Sequence, residues 1–263
     1  MNNIFDDTTF ILGFWYHEKN VKRDLEHYLK YIPQTLALLK DCKIVFYYEQ
    51  DFVLDFVKQH IQTQEFKAIK IYVKDLPTYN LSENFLKSCI NQDNIKLLNH
   101  KKIKPLSSYE KGLVHYNREY LKSGQECYRH IITVWTSKLF LMNNINYDTK
   151  YIAWIDVAFA HTKICLRQIL TPYNITFTDD LESLHGFRYV VTADKLGMRY
   201  YSELLQLLAG FMLCSKKFLQ QTFLPLYEQQ LHLCKDSNYA HDEETILHLI
   251  SKKHPKLFKS IKI

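Results

Sequence analysis

A single α/β domain with a doubly wound, mostly parallel central sheet flanked by helices is the fold this sequence predicts, and three observations lead to it. Short apolar runs rich in β-branched and aromatic residues alternate with amphipathic stretches from the N terminus onward, in the β-α-β-α-β order of a parallel sheet with right-handed crossovers. The chain of 263 residues is 47% hydrophobic and 14% aromatic, enough to build one large core. It contains only six Gly and six Pro, which excludes a loop-rich or disordered protein.

The first predicted strand runs from Thr9 to Tyr16. A helix follows from Val21 to Leu39, with Leu25, Tyr28, Leu29, Ile32, Leu36 and Leu39 at helical spacing; Pro33 is expected to weaken it or split it in two. Lys43 to Tyr48 reads as the second strand, Asp51 to Ile61 as a helix and Phe66 to Val73 as the third strand. Residues 75–122 are polar and rich in Asn and Lys, and are expected to form short helices and loops. A long helix is predicted over Glu126 to Met142, followed by the most strand-like run of the chain, Lys150 to Ile155, which ends at Asp156. Then come a strand over Gly186 to Thr192, a helix over Tyr200 to Leu208, a short strand over Gly210 to Cys214, and helices over Lys216 to Leu233 and Asp242 to Ser251.

The charge balance, 34 basic against 28 acidic residues, is a modest surplus spread along the chain. With no dense Arg cluster and no nucleic-acid module, no nucleic-acid partner is expected. The one basic concentration is the tail from Ser251 to Lys262. It reads either as a solvated helix or extension, or as an adhesive for anionic lipid headgroups at the periphery of the inner membrane, each Lys then contributing about 1 kcal/mol. The six cysteines form no CxxC pair, the closest two being Cys214 and Cys234. The segment Met1 to Asp7 lacks the basic start and apolar core of a signal peptide, and no run approaches the roughly 18 apolar residues of a membrane span. The reducing cytoplasm is therefore the expected compartment.

There is no G-x-G-x-x-G after the first strand (Gly13 stands alone), no P-loop, no HExxH and no G-x-S-x-G. A dinucleotide-binding dehydrogenase, a P-loop kinase and an α/β-hydrolase are thereby disfavoured. Ligands of parallel sheets bind beyond the carboxyl ends of the strands, which singles out Asp156 as a carboxylate for a metal or a ribose, or else as a cap on a following helix. Trp135 and Lys138, on the helix before that strand, belong near the same region. The run from Ala240 to Thr245 adds His241, Asp242, Glu243 and Glu244 at a helix start. Acids there are also what the helix dipole favours.

The segments Phe14-Trp15-Tyr16, Arg23 with Glu26 and Tyr28, Ile44 to Phe46, Trp135 to Lys138, Trp154-Ile155-Asp156 and Asp242-Glu243 together resemble the bacterial HtrL/YibB family over about residues 9–260. That family is similar to glycosyltransferases of the GT-A fold and is usually found with surface-polysaccharide genes. The resemblance implies transfer of a sugar from a nucleoside diphosphate sugar to a hydroxyl of a lipopolysaccharide or capsular glycan, or to a lipid-linked acceptor. It also implies a nucleotide-sugar-binding half over residues 1–160 and an acceptor-side half over residues 161–263. In that scheme the first strand's end from Gly13 to Tyr16, with Phe14 and Tyr16 among its aromatics, and Trp135 would line the nucleotide, while Arg23 and Lys138 would face its phosphates. Asp156, Asp242 and Glu243 would be catalytic, and Asp156, Asp242 and His241 would hold a divalent metal, Mn²⁺ or Mg²⁺. The sequence departs from the Asp-x-Asp pattern of that fold: Val157 and Ala158 follow Asp156, so the second carboxylate is absent.

Overall fold

The computed structural model describes residues 4–20, 23–63, 65–89, 120–146, 148–165, 181–190, 205–234 and 242–261. Seven strands form one sheet: β1 (Thr8–Phe14), β2 (Lys43–Tyr48), β3 (Phe66–Lys70), β4 (Tyr151–Ile155), β5 (Leu184–Val190), β6 (Leu205–Ser215) and β7 (Phe258–Ile261), in the order β3-β2-β1-β4-β6-β5-β7. Only β6 runs against its neighbours. The pairs β1–β2, β2–β3, β1–β4 and β5–β7 are parallel, while β4–β6 and β5–β6 are antiparallel.

Both faces of the sheet are covered, which explains why β1, β2 and β4 read as continuous apolar runs rather than alternating ones. On one face Phe10, Leu12 and Phe14 of β1, with Ala153 and Ile155 of β4, pack around α1 (Leu25–Leu38) and α2 (Asp51–Lys58). On the other, Ile11, Ile152 and Trp154 meet α3 (Tyr79–Cys89), α4 (Leu121–Asn143), α5 (Leu224–Cys234) and α6 (Glu243–Lys253). Trp154, Phe10 and Tyr227 are among the largest side chains wholly removed from water, each burial being worth on the order of 2–3 kcal/mol.

Three elements differ from their sequence-based expectation. Helix α1 passes through Pro33 without a break, anchored at its start by Asp24, whose Oδ1 accepts from the His27 N–H at 2.8 Å. Residues Leu205 to Leu208, expected as the end of a helix, are strand. Their backbone pairs with β5 in the register Arg188↔Leu207, Tyr189↔Gln206 and Val190↔Leu205, a long-range ladder that local periodicity cannot reveal. The tail is neither a solvated extension nor a helix throughout: after a 3₁₀ turn at Pro255–Leu257 it supplies β7, with Phe258 and Ile261 buried on opposite faces of the sheet.

Helix α4 carries the positions that matter most below, and it is fixed against the turn before α3 by buried hydroxyls. Thr78 Oγ1 lies 2.7 Å from Thr136 Oγ1 and 2.8 Å from Ser137 Oγ, and Thr133 Oγ1 donates to Ser82 Oγ at 2.9 Å. Satisfied networks of this kind hold an element in a single rotational setting. Among the described residues, no helix is long and apolar enough to cross a membrane.

Candidate active site

Strand β4 stops where its ladder to β6 gives way to a turn. The Asp156 N–H still donates to the Gly210 carbonyl at 2.9 Å, while its own carbonyl accepts from the Phe159 N–H at 2.8 Å. This sets the Asp156 side chain at the carboxyl end of a central parallel strand. Two adjoining cavities open there, and they share Arg23, Trp135 and Asp156.

Asp156 is gripped on one side only. Its Oδ1 accepts from the Trp154 indole N–H at 2.8 Å and lies 2.9 Å from Lys138 Nζ. Oδ2 leans toward β6, where a Cβ on Gly210 would stand 3.3 Å away, so glycine keeps that side clear. The side chain is 36% exposed. Burial alone would push its carboxyl upward, but the Lys138 ammonium, the Trp154 N–H and the Arg23 guanidinium outweigh it and hold the group below the ordinary carboxylate range. Asp156 is thus an anion with one oxygen locked and the other facing the groove.

Lys138, the next turn of α4 beyond Trp135, lies beneath Asp156. Its side chain is 5% exposed, and its ammonium contacts Asp156, Glu243 Oε1 at 2.7 Å and the Ala209 carbonyl at 3.2 Å. Burial opposes its charge, yet the two carboxylates raise its proton affinity well above that of an ordinary lysine. Glu243 shifts upward for the complementary reason: burial, together with Asp242 and Glu244 nearby, outweighs the pull of Lys138. Asp242 caps α6, its Oδ1 accepting from the Thr245 N–H at 2.8 Å, and Glu244 Oε1 accepts from the Ala209 N–H at 3.2 Å. All three acids line the second cavity.

Gly13, Phe14, Arg23, Trp135 and Lys138 line the first cavity, and Tyr16 is not among its lining residues. Its backbone is clasped instead by the Gln50 side chain, and its ring meets Phe52 edge-on at 6.3 Å. His241 lies outside the described residues. Sequence reasoning gave no place to His130, which lines the first cavity, or His161, which lines the second. Trp15 folds over Gly13, where any Cβ would come within 2.4 Å of its ring, and its indole donates to the Ile71 carbonyl at 3.0 Å. The Arg23 guanidinium donates to the Tyr28 hydroxyl and lies 3.4 Å from His161 Nε2. Because His161 Nδ1 donates to the Ala158 carbonyl, Nε2 is left as an acceptor for Arg23.

As a divalent-metal set, the described residues fit poorly. No group of three or more His, Cys, Asp or Glu converges among them, and Val157 and Ala158 are buried in the core. Asp156 and Glu243 already share an ammonium, that of Lys138.

A model of the family described as "Bacterial protein of unknown function (HtrL_YibB)" matches residues 7–263. The chain belongs to the HtrL_YibB family. No curated protein is significantly similar to it in sequence. Among solved structures, this HtrL_YibB protein is similar to mouse xyloside xylosyltransferase 1 in its apo form, with a TM-score of 0.51 and 12% identity over 97% of this chain and 85% of that one. It is also similar to core-mannan synthase A from Aspergillus fumigatus in an Mn/GDP form, with a TM-score of 0.46 and 10% identity over 93% of this chain and 69% of that one. The likeness to the xylosyltransferase establishes a GT-A-like fold for the HtrL_YibB chain.

Proposed function

We propose that this HtrL_YibB protein is a glycosyltransferase that moves a sugar from a nucleoside diphosphate sugar to a hydroxyl of a bacterial surface glycan such as lipopolysaccharide or capsule. The observation that carries the reading is the groove at the carboxyl ends of β1 and β4, where an anionic Asp156 and the Arg23 guanidinium face one space. That is where an open α/β sheet binds its ligand. A nucleoside diphosphate sugar needs both groups: acceptors for its many hydroxyls and a cation for its diphosphate.

In this reading residues 1–160 receive the nucleotide sugar and residues 161–263 the acceptor. The donor lies along the first cavity, walled by Phe14, Trp15 and Tyr28, with Asp156 Oδ2 accepting a hydroxyl of the ribose or the transferred sugar. As the glycosidic bond to phosphate breaks, negative charge grows on the departing diphosphate, and Arg23 stabilises it from a position set in advance by Tyr28 and His161. The acceptor hydroxyl enters over the acidic rim. Glu243 suits proton removal better than Asp242, because burial has raised its proton affinity while Asp242 serves the helix cap. Cys42, Cys127, Cys165, Cys214 and Cys234 are free thiols, which suits the cytoplasm as the compartment.

The test is a panel of nucleotide sugars scored for slow hydrolysis to free sugar and nucleotide, run beside the Asp156→Asn variant. Turnover of one donor by the parent chain, lost in the variant, is the expected result. No hydrolysis and no binding of any donor would remove the glycosyltransferase reading.

A further inference from the structure

The GT-A resemblance implies a divalent cation among carboxylates at the end of β4. In this chain a cation is already built into that place. Lys138 Nζ stands 2.9 Å from Asp156 and 2.7 Å from Glu243, and its third N–H reaches the Ala209 carbonyl at 3.2 Å. An ammonium has three donors, so this one is saturated. Every acid of the rim has an oxygen committed in the same way. Asp156 Oδ1 holds Lys138 and Trp154, Glu243 Oε1 holds Lys138, Asp242 Oδ1 holds the Thr245 N–H, and Glu244 Oε1 holds the Ala209 N–H. A divalent ion drawn to the remaining oxygens would sit beside this buried ammonium, a like charge, which the low local dielectric makes costly.

We infer that the Lys138 ammonium permanently occupies the role of the divalent metal in this site, and that the donor's diphosphate is bound by Arg23 without any metal. The second half of the inference rests on the glycosyltransferase reading; the first does not. Arg23 is equipped for the task. Tyr28 and His161 Nε2 hold it in place, and it lines both cavities together with Asp156. Lys138 acts on the donor through Asp156: it keeps that carboxylate ionised and fixes which oxygen points outward. Lys138 is therefore a positioning residue rather than a phosphate ligand.

Two arms on the full chain test this separately. In the first, Mn²⁺ alone is titrated with the protein and followed by the electron paramagnetic resonance of the free ion. The wild-type protein should leave the signal undiminished, whereas Lys138→Met, which frees both carboxylates, should bind Mn²⁺ at least about tenfold more tightly. Stoichiometric Mn²⁺ uptake by the wild type that Asp156→Asn abolishes would overturn the inference, whether or not Lys138→Met folds. In the second arm, UDP and GDP are titrated calorimetrically with EDTA and then with Mn²⁺. Affinity unchanged by EDTA and lowered about tenfold by Arg23→Ala is the expected result. Binding that EDTA abolishes would overturn the inference. Failure of both nucleotides to bind in either condition would instead count against the donor class, with the Mn²⁺ arm still deciding whether Lys138 excludes the metal.

Discussion

The ammonium of Lys138 and the carboxylate of Glu243, 105 residues apart in the chain, meet at 2.7 Å with 5% and 9% of their side chains exposed. This contact joins α4 to the start of α6 beside the half-buried Asp156. Removing one partner of such a pair strands a charge away from water. Lys138→Met is therefore expected to lower stability by about 3–5 kcal/mol, and Glu243→Gln by somewhat less because Asp156 still answers the lysine. The double variant should be more stable than the sum of the two losses, since neither charge is then left alone. Urea denaturation of the four proteins measures the coupling. Strict additivity would mean the two groups do not interact in solution.

Asp156→Asn makes a contrasting forecast. The amide oxygen can still accept from Trp154 and Lys138, so the fold should survive with a loss of about 1–2 kcal/mol. The groove, however, loses its anion, and turnover should fall by at least about a hundredfold, a loss of roughly 2.7 kcal/mol in transition-state stabilisation. Melting temperature and hydrolysis rate measured on the same preparation separate the two effects. Undiminished turnover would move the active site away from β4.

Two glycines differ in what they make room for. At Gly13 an added Cβ would lie 2.4 Å from the Trp15 ring, which cannot swing aside without breaking its bond to the Ile71 carbonyl. Gly13→Ala should therefore cost about 1–3 kcal/mol and shift the tryptophan emission. At Gly210 the nearest atom is Asp156 Oδ2, at 3.3 Å. Gly210→Ala should leave stability within about 1 kcal/mol but lower turnover about tenfold, because the displaced atom is the one aimed into the groove. A stability loss at Gly210 as large as that at Gly13 would contradict this placement of Asp156.

The parts of this arrangement that sequence alone revealed are the local ones. Strands β1, β2 and β4 lie in the centre of the sheet, buried on both faces, so their apolar runs are unbroken and Asp156 stands out as the first polar residue after one of them. The face of α4 that carries Trp135 and Lys138 follows from helical spacing. What could not be read is whatever depends on pairing across long separations. Nothing near Lys138 in sequence announces Glu243, so their pairing is visible only in the fold. Leu205 to Leu208 fit a helix until β5 provides a ladder for them. Tyr16 was expected beside the nucleotide; Gln50 bonds its backbone, and Trp15 rather than Tyr16 is among the residues lining the first cavity.

Acid sensitivity should come chiefly from two histidines. Burial pushes His130 down to about 4, with the neighbouring His17 adding to the effect against the Trp15 carbonyl, and burial with Lys259 nearby pushes His185 down to about 4. Both start from 6.5 in the unfolded chain, so the folded state binds the proton more weakly. The stability they contribute is complete above pH 6.5 and is lost as pH falls from 6.5 toward 4, by at most on the order of 3 kcal/mol for each group. Urea midpoints from pH 7.5 to 4 should drop across that window, and His185→Gln should flatten the slope. A profile that is level until pH 4 would show that neither imidazole is held neutral.

The C-terminal strand offers the sharpest contrast between a charged appendage and a structural element. Phe258 packs edge-on against Phe223 at 5.4 Å in one core, and Ile261 is buried in the other, so four residues of β7 stitch both faces of the sheet together beside β5. Truncating large apolar side chains in such positions costs about 2–5 kcal/mol each, and the sum approaches the entire stability of a typical domain. Deletion also uncovers the edge of β5, a template for pairing with other chains. A chain ending at Leu257 should therefore aggregate or unfold at ordinary temperature, while Lys256→Gln with Lys259→Gln, at exposed positions, should leave the melting temperature within a few degrees. Expression of the truncated and the doubly substituted proteins, compared by size-exclusion chromatography and thermal melting, decides it. A truncated chain that stays monomeric and melts with the parent would mean that β7 is dispensable and the tail is only a basic extension.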